Sequence, residues 1–354
     1  AFKDMAMQFL AQFFEYALEQ RDEVLNILGS TSGDTGSAAI HGVRGKERIR
    51  IFMMHPHGRT SPVQALQMTS VLDDNVHNLA VDGTFDDCQR IMKTLFADVP
   101  FKEKYSLGAV NSVNWVRIMA QIVYYLYSGL RVLRESGASS VQFSVPTGNF
   151  GNILAGFYAS KMGLPVSRLI LATNENDILC RFFQTGVYEL GSVSHTLSPS
   201  MDIQVASNFE RYLFEVLDRD TVRTAAAMRA FAREGRLDLS DHSRHPAQRL
   251  FVGGRADTRT TLASIRGVYG QTGYLLDPHT AVGVAVGDEQ KLAGVPLICL
   301  ATAHPAKFTD AIVEAVGIEP HHPVLDALQN AETRCQRLPN DEQAVRTYLE
   351  TRLN

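Results

Sequence analysis

Short apolar runs that each empty into a glycine- or hydroxyl-rich turn and then a helical stretch constrain this chain most. Glu23–Leu28, Ile49–Met54 and Val76–Val81 have this form, and so do Val141–Val145, Leu169–Ala172 and Pro296–Ala301. Strands alternating with helices predict parallel pairing, because a helix must carry the chain back to the same edge of the sheet. Ala6, Phe9, Leu10, Phe13 and Phe14 recur at helical spacing after Lys3, and 118–134 reads as a long amphipathic helix. Residues 192–277 read as mainly helical and richer in charge. With 354 residues, the expectation is an α/β fold of two three-layer domains with mostly parallel sheets.

Composition removes several function classes. A net charge of -4 and a pI near 6.3, with no basic runs, argue against a nucleic-acid partner. The apolar runs are too short to span a bilayer, so no membrane role is expected. Cys88, Cys180, Cys299 and Cys335 lack zinc or redox spacing, which implies no metal and a reducing, cytoplasmic setting. His55-Pro56-His57, His321-His322 and Asp241–His245 are assigned to solvated loops. The chain opens on Ala1 and reads as cut from something longer.

Two motifs carry the chemistry. Lys3 stands at the edge of a helix with a buried face, where the macrodipole disfavours its cation and favours the nucleophilic amine. A lysine in such a place is ordinarily a solvated charge. Gly148-Asn149-Phe150-Gly151-Asn152 joins a strand to a helix and is neither a Walker A loop nor a dinucleotide fingerprint. Its backbone N–H groups can hold a phosphate, although a plain strand–helix turn has the same form. An amine able to form a Schiff base and a separate phosphate cradle are the two attachments that pyridoxal 5'-phosphate requires.

Three further groups fit that reading. Thr31-Ser32-Gly33-Asp34-Thr35-Gly36-Ser37 offers hydroxyls and N–H groups to a carboxylate, or simply caps a helix. Asp34 is unusual beside an anion unless it faces a donor. Asn111, Ser112, Asn114 and Arg117 together suit a phosphate ester, or begin a capped helix. Thr302 follows a strand and could bond an unprotonated ring nitrogen.

Taken in order, these runs resemble the threonine synthase family, fungal and bacterial branch, of the fold-type II (tryptophan synthase β-like) pyridoxal-phosphate enzymes. Gly58–Pro62, Asn174–Asp177, Ser198–Asp202 and Ala301–Lys307 add to the likeness, which reaches about Phe308 and leaves the tail only generically helical. The resemblance implies that Lys3 bears the cofactor and moves protons. It implies that residues 148–152 hold the cofactor phosphate, Thr302 the ring nitrogen, and Asp34 the cofactor phenol. Thr31, Ser32, Gly33 and Thr35 would meet the substrate carboxylate, and Asn111, Ser112, Asn114 and Arg117 its phosphate.

The implied reaction converts O-phospho-L-homoserine and water to L-threonine and phosphate; a phospho-lyase on the same substrate is the nearest rival. The implied domains are 1–28 with 118–354, which binds the cofactor, and 29–117, which carries the substrate loop. The family's segment upstream of the lysine is missing, so this chain is expected to be weak or inert while its parent is active. Monomer and homodimer both stay open.

Overall fold

The computed structural model describes residues 2–31, 33–110, 114–242 and 246–354. Their packing divides them into two units, 1–114 with 321–354, and 115–320. In the first unit β1 (Leu25–Ser30), β2 (Ile49–Pro56) and β3 (Val76–Asp82) alternate with helices, and the two-residue β4 (Leu107–Gly108) follows. In the second unit β5 (Val141–Pro146) and β6 (Val166–Thr173) precede a small antiparallel pair, β7 (Val187–Glu189) and β8 (Arg236–Asp238). β9 (Phe251–Arg255) and β10 (Leu297–Cys299) complete its main sheet. The chain then returns to the first unit and adds β11 (Gln336–Pro339).

Both main sheets are parallel throughout, in the orders β11-β3-β2-β1-β4 and β10-β5-β6-β9. The interior strands β2 and β5 are buried almost end to end, as strands covered on both faces must be, while β10 at the edge is only half-buried. In the first unit Leu28, Phe52, Met54 and Leu79 pack with Leu95, Val345 and Leu349 on one face. The core of the second unit is aromatic: Phe150, Phe183, Tyr212 and Phe251 gather beneath the sheet. The helix Pro278–Gln290 covers the other face, with Val282 and Val286 against Ile170 and Ala172.

This division differs from the one expected. The helix Phe2–Arg21 packs on Asp34–Val43, the Met7 carbonyl lying against Gly42, so it joins the first unit. The tail also belongs there, because β11 pairs with β3 and extends the sheet. β9 lay inside the stretch read as helical; two apolar residues followed by Gly253-Gly254 give no strand periodicity. His55 is not in a solvated loop. β2 runs on through Pro56, so His55 is buried on the strand, its Nε2 3.6 Å from Cys335 Sγ, and burial lowers its pKa.

Candidate active site

In each sheet one strand marks where the winding direction reverses, and ligands of open α/β sheets collect beyond its carboxyl end. In the second unit the chain steps from β5 to β6 and β9 on one side, then returns to place β10 on the other. The turn 147–152 follows β5, and Thr302 lies just beyond β10. The register pairs Cys299 with Ser144, and Leu300 N–H donates to Ser144 O at 3.0 Å. The turn 147–152 and Thr302 therefore leave neighbouring strands side by side.

The turn is built to present backbone. Gly148 accepts no side chain: a Cβ there would lie 2.7 Å from the Ser200 carbonyl oxygen. Phe150 takes a left-handed φ of 63° with its ring fully buried, stacked on Phe183 at 6.0 Å. That conformation costs a residue with a Cβ about 1–3 kcal/mol, which the aromatic packing offsets. Among the described residues no side chain caps the helix Gly151–Lys161 that begins there, an arrangement that suits an anion at its first turn. The side chains of the turn itself serve other ends. Asn152 receives the Tyr125 hydroxyl on its carbonyl oxygen (2.8 Å) and on Oδ1 (3.0 Å). Asn149 Oδ1 accepts from Ser207 Oγ at 3.2 Å, and its carbonyl oxygen from the Asn208 Nδ2 amide at 3.1 Å.

Thr302 is 7% exposed, its N–H donates to Thr280 Oγ1 at 3.0 Å, and its own Oγ1 has no partner among the described residues. A buried hydroxyl without a partner costs free energy unless a ligand completes it. Arg117, in the first turn of the helix Trp115–Ser136, is 3% exposed. Its Nε and Nη1 are buried without a partner among the described residues, and burial lowers its pKa to about 10. Asn111 and Ser112 lie outside the described residues.

In the first unit β1 is the reversal strand, and the loop Thr31–Ser37 follows it. Ser32 lies outside the described residues. Gly33, at a φ of 154°, opens the helix Asp34–Val43, and a Cβ there would strike the Gln64 amide. The hydroxyl of Thr31 is taken up by the loop itself, accepting from Gly33 N–H (3.0 Å) and Gly36 N–H (2.9 Å). Ser37 Oγ donates to Asp34 O within the helix, so both hydroxyls are spent on local backbone. The hydroxyl of Thr35 is not among those the loop takes up in this way. Asp34 finds its donor in Gln64 Nε2 at 3.1 Å, a residue the sequence did not single out. Ser61, capping the next helix through Gln64 N–H, sets that amide in place. Lys3 stands half-buried in the first turn of Phe2–Arg21, its Nζ 5.8 Å from the Phe2 ring centre, and Asn114 ends this part of the unit.

Two other motifs converge. Asp202 Oδ1 accepts from Asn174 Nδ2 (2.8 Å), Asn176 Nδ2 (3.0 Å) and Thr196 Oγ1 (2.7 Å), which locks the segment behind Gly148. A cavity of about 770 Å³ in the first unit, lined by Arg50, His77, Arg334, Tyr348 and Arg352, opens at the amino ends of β2 and β3, the wrong edge for this site. Among the described residues no helix is long and apolar enough to cross a membrane, and no group could hold a metal.

Residues 1–246 match the family model described as pyridoxal-phosphate dependent enzyme, and that is the class this fold and site define. Residues 280–349 match a second model, threonine synthase, C-terminal, so the likeness runs well into the tail. A threonine synthase of Corynebacterium glutamicum is 48% identical over 357 residues, covering 99% of this chain and 74% of its own. The structure of PLP-bound threonine synthase from Brucella melitensis matches with a TM-score of 0.95 at 46% identity, over 100% of this chain and 76% of that one. Threonine synthase from yeast gives 0.92 at 38%, over 100% and 76%. The chain belongs to the threonine synthase family.

Proposed function

We propose that this chain converts O-phospho-L-homoserine and water to L-threonine and inorganic phosphate with pyridoxal 5'-phosphate. The residues suit the cofactor: an uncapped turn that excludes a Cβ at Gly148, and an orphan hydroxyl on Thr302 beside it. The N–H groups of residues 148–152 would hold its phosphate, Thr302 its ring nitrogen, Lys3 its aldehyde carbon and Asp34 its phenol side. When bound, the cofactor supplies an electron sink for the carbons next to the amine. A hydroxyl at the ring nitrogen, unlike a carboxylate, does not hold it protonated.

Arg117 carries the proposal. A buried guanidinium that lacks partners at two nitrogens among the described residues calls for an anion, and phosphate answers it bidentately. With Asn111, Ser112 and Asn114 it grips the substrate phosphate before and during departure. Ser32, Gly33 and Thr35 orient the substrate carboxylate, with Thr31 shaping that loop. Lys3 takes the Cα proton and then a Cβ proton, the Cγ–O bond breaks and phosphate leaves, and Cγ is reprotonated; water then adds its hydroxyl at Cβ, giving up its other proton, and a proton returns to Cα. The four thiols are unpaired, which suits a cytoplasmic setting.

Incubation with O-phosphohomoserine, followed by product analysis, tests this. Threonine and phosphate should form in equal amounts and vanish in Lys3→Ala. Ketoacid without threonine would make the chain a phospho-lyase.

A further inference from the structure

We infer that Asp277 is a positioning residue that sets the phosphate turn and Thr302 as one unit, acting through His279 on the first and through Thr280 on the second. The inference rests on the cofactor reading above, but its geometry lies wholly within the second unit. Asp277 is 2% exposed and caps the helix Pro278–Gln290. Its Oδ1 accepts from the N–H of His279 at 3.0 Å and lies 3.1 Å from His279 Nδ1, while Oδ2 accepts the Thr280 hydroxyl. A helix cap needs one such bond; this carboxylate holds two side chains besides.

Each side chain reaches a different part of the site. His279 Nε2 accepts from the Ser200 N–H at 3.3 Å, which requires a neutral ring with its proton on Nδ1, facing Asp277. Ser200 is the residue whose carbonyl walls Gly148. On the other arm, the Thr280 hydroxyl donates to Asp277 and so turns a lone pair to the Thr302 N–H at 3.0 Å. That bond fixes the backbone from which the orphan Thr302 Oγ1 projects. The hydrogen bonds from His279 and Thr280 stabilise the buried carboxylate, so it remains an acceptor for both arms. Reversing one acceptor would disturb both ends of a rigid cofactor together.

The test uses the full chain with Asp277→Asn, His279→Ala, His279→Gln and Thr280→Val. It reads inorganic-phosphate affinity of the cofactor-free protein by calorimetry, the absorbance maximum of bound pyridoxal phosphate, and the cofactor-free melting point. His279→Ala should weaken phosphate about tenfold, the effect of one lost hydrogen bond. His279→Gln, whose amide oxygen can accept the Ser200 N–H, should restore most of it. Thr280→Val should leave phosphate affinity alone and shift the absorbance maximum. Asp277→Asn should do both; if it fails to fold, the two arms still decide the matter separately. Lower melting points with phosphate affinity and spectrum unchanged would reduce Asp277 to a helix cap and overturn the inference. So would a wild-type chain that binds no phosphate. A wild-type chain that binds phosphate but no cofactor would instead sink the proposed function, and the His279 comparison would still stand.

Discussion

Asn208 donates twice to one acceptor: its backbone N–H and its side-chain Nδ2 both reach the Asn149 carbonyl oxygen, each at 3.1 Å. Both lone pairs of that oxygen are thereby held, and the middle of the turn 147–152 cannot rotate. Asn208→Ala removes one of the two bonds from a fully buried position. It should cost about 1–2 kcal/mol in denaturant unfolding and loosen retention of the cofactor on dialysis.

Gly148→Ala should be more severe for binding. The added carbon meets backbone, the Ser200 oxygen at 2.7 Å and the Met201 Cα at 3.2 Å, neither of which can swing aside. The turn must shift, with an expected loss of about 1–3 kcal/mol in stability and of the cofactor absorbance band.

Thr302→Val reverses the usual sign. It removes a buried hydroxyl that has no partner among the described residues. The cofactor-free protein should gain about 1 kcal/mol in thermal unfolding, while turnover falls once the cofactor is present. A destabilised cofactor-free protein would mean that the hydroxyl serves the fold and not a ligand.

Arg117→Met carries the same logic to a charge. Replacing a buried guanidinium, partly unpaired among the described residues, by an apolar side chain of similar length should stabilise the substrate-free chain by about 1–3 kcal/mol. KM for the phosphorylated substrate should rise by about a hundredfold, as for truncation of one side of a buried ion pair. Steady-state kinetics and urea unfolding on the same sample check both.

The first unit should be acid-sensitive through His77. Burial, then Arg352, Arg334 and Arg50, lower its pKa from 6.5 to about 4. Between those values the unfolded chain binds the proton and the folded chain does not, so stability rises with pH and is lost on acidification from 6.5 to 4. His77→Phe keeps the stacking on Phe52, 4.5 Å between ring centres, and has nothing to titrate. Its melting point should vary less across that window than the wild type's.

Much of this was legible from residue order because parallel strands advertise themselves as continuous apolar runs, and six of them appear where the runs lie. The turn 147–152 and Thr302 could be assigned to strand ends for the same reason. What stayed hidden depends on contacts distant in sequence. Gln64 meets Asp34 across 30 residues and Asn208 meets Asn149 across 59, and a lone amide carries no periodic signal. β11 was hidden because Gln336-Arg337-Leu338-Pro339 is polar and lacks an apolar run, which an edge strand can do without. His55 was misplaced because histidine and proline together look like a loop until β2 runs through them.

The pairing of β11 with β3 also orders events in time. β3 ends at Asp82, yet its outer neighbour begins at Gln336, after the whole of the second unit has been made. During synthesis the flank of β3 must wait with its amide and carbonyl groups unpaired, a template for another strand. Ribosome-bound chains stalled ahead of Gln336 are therefore the ones that should need a chaperone.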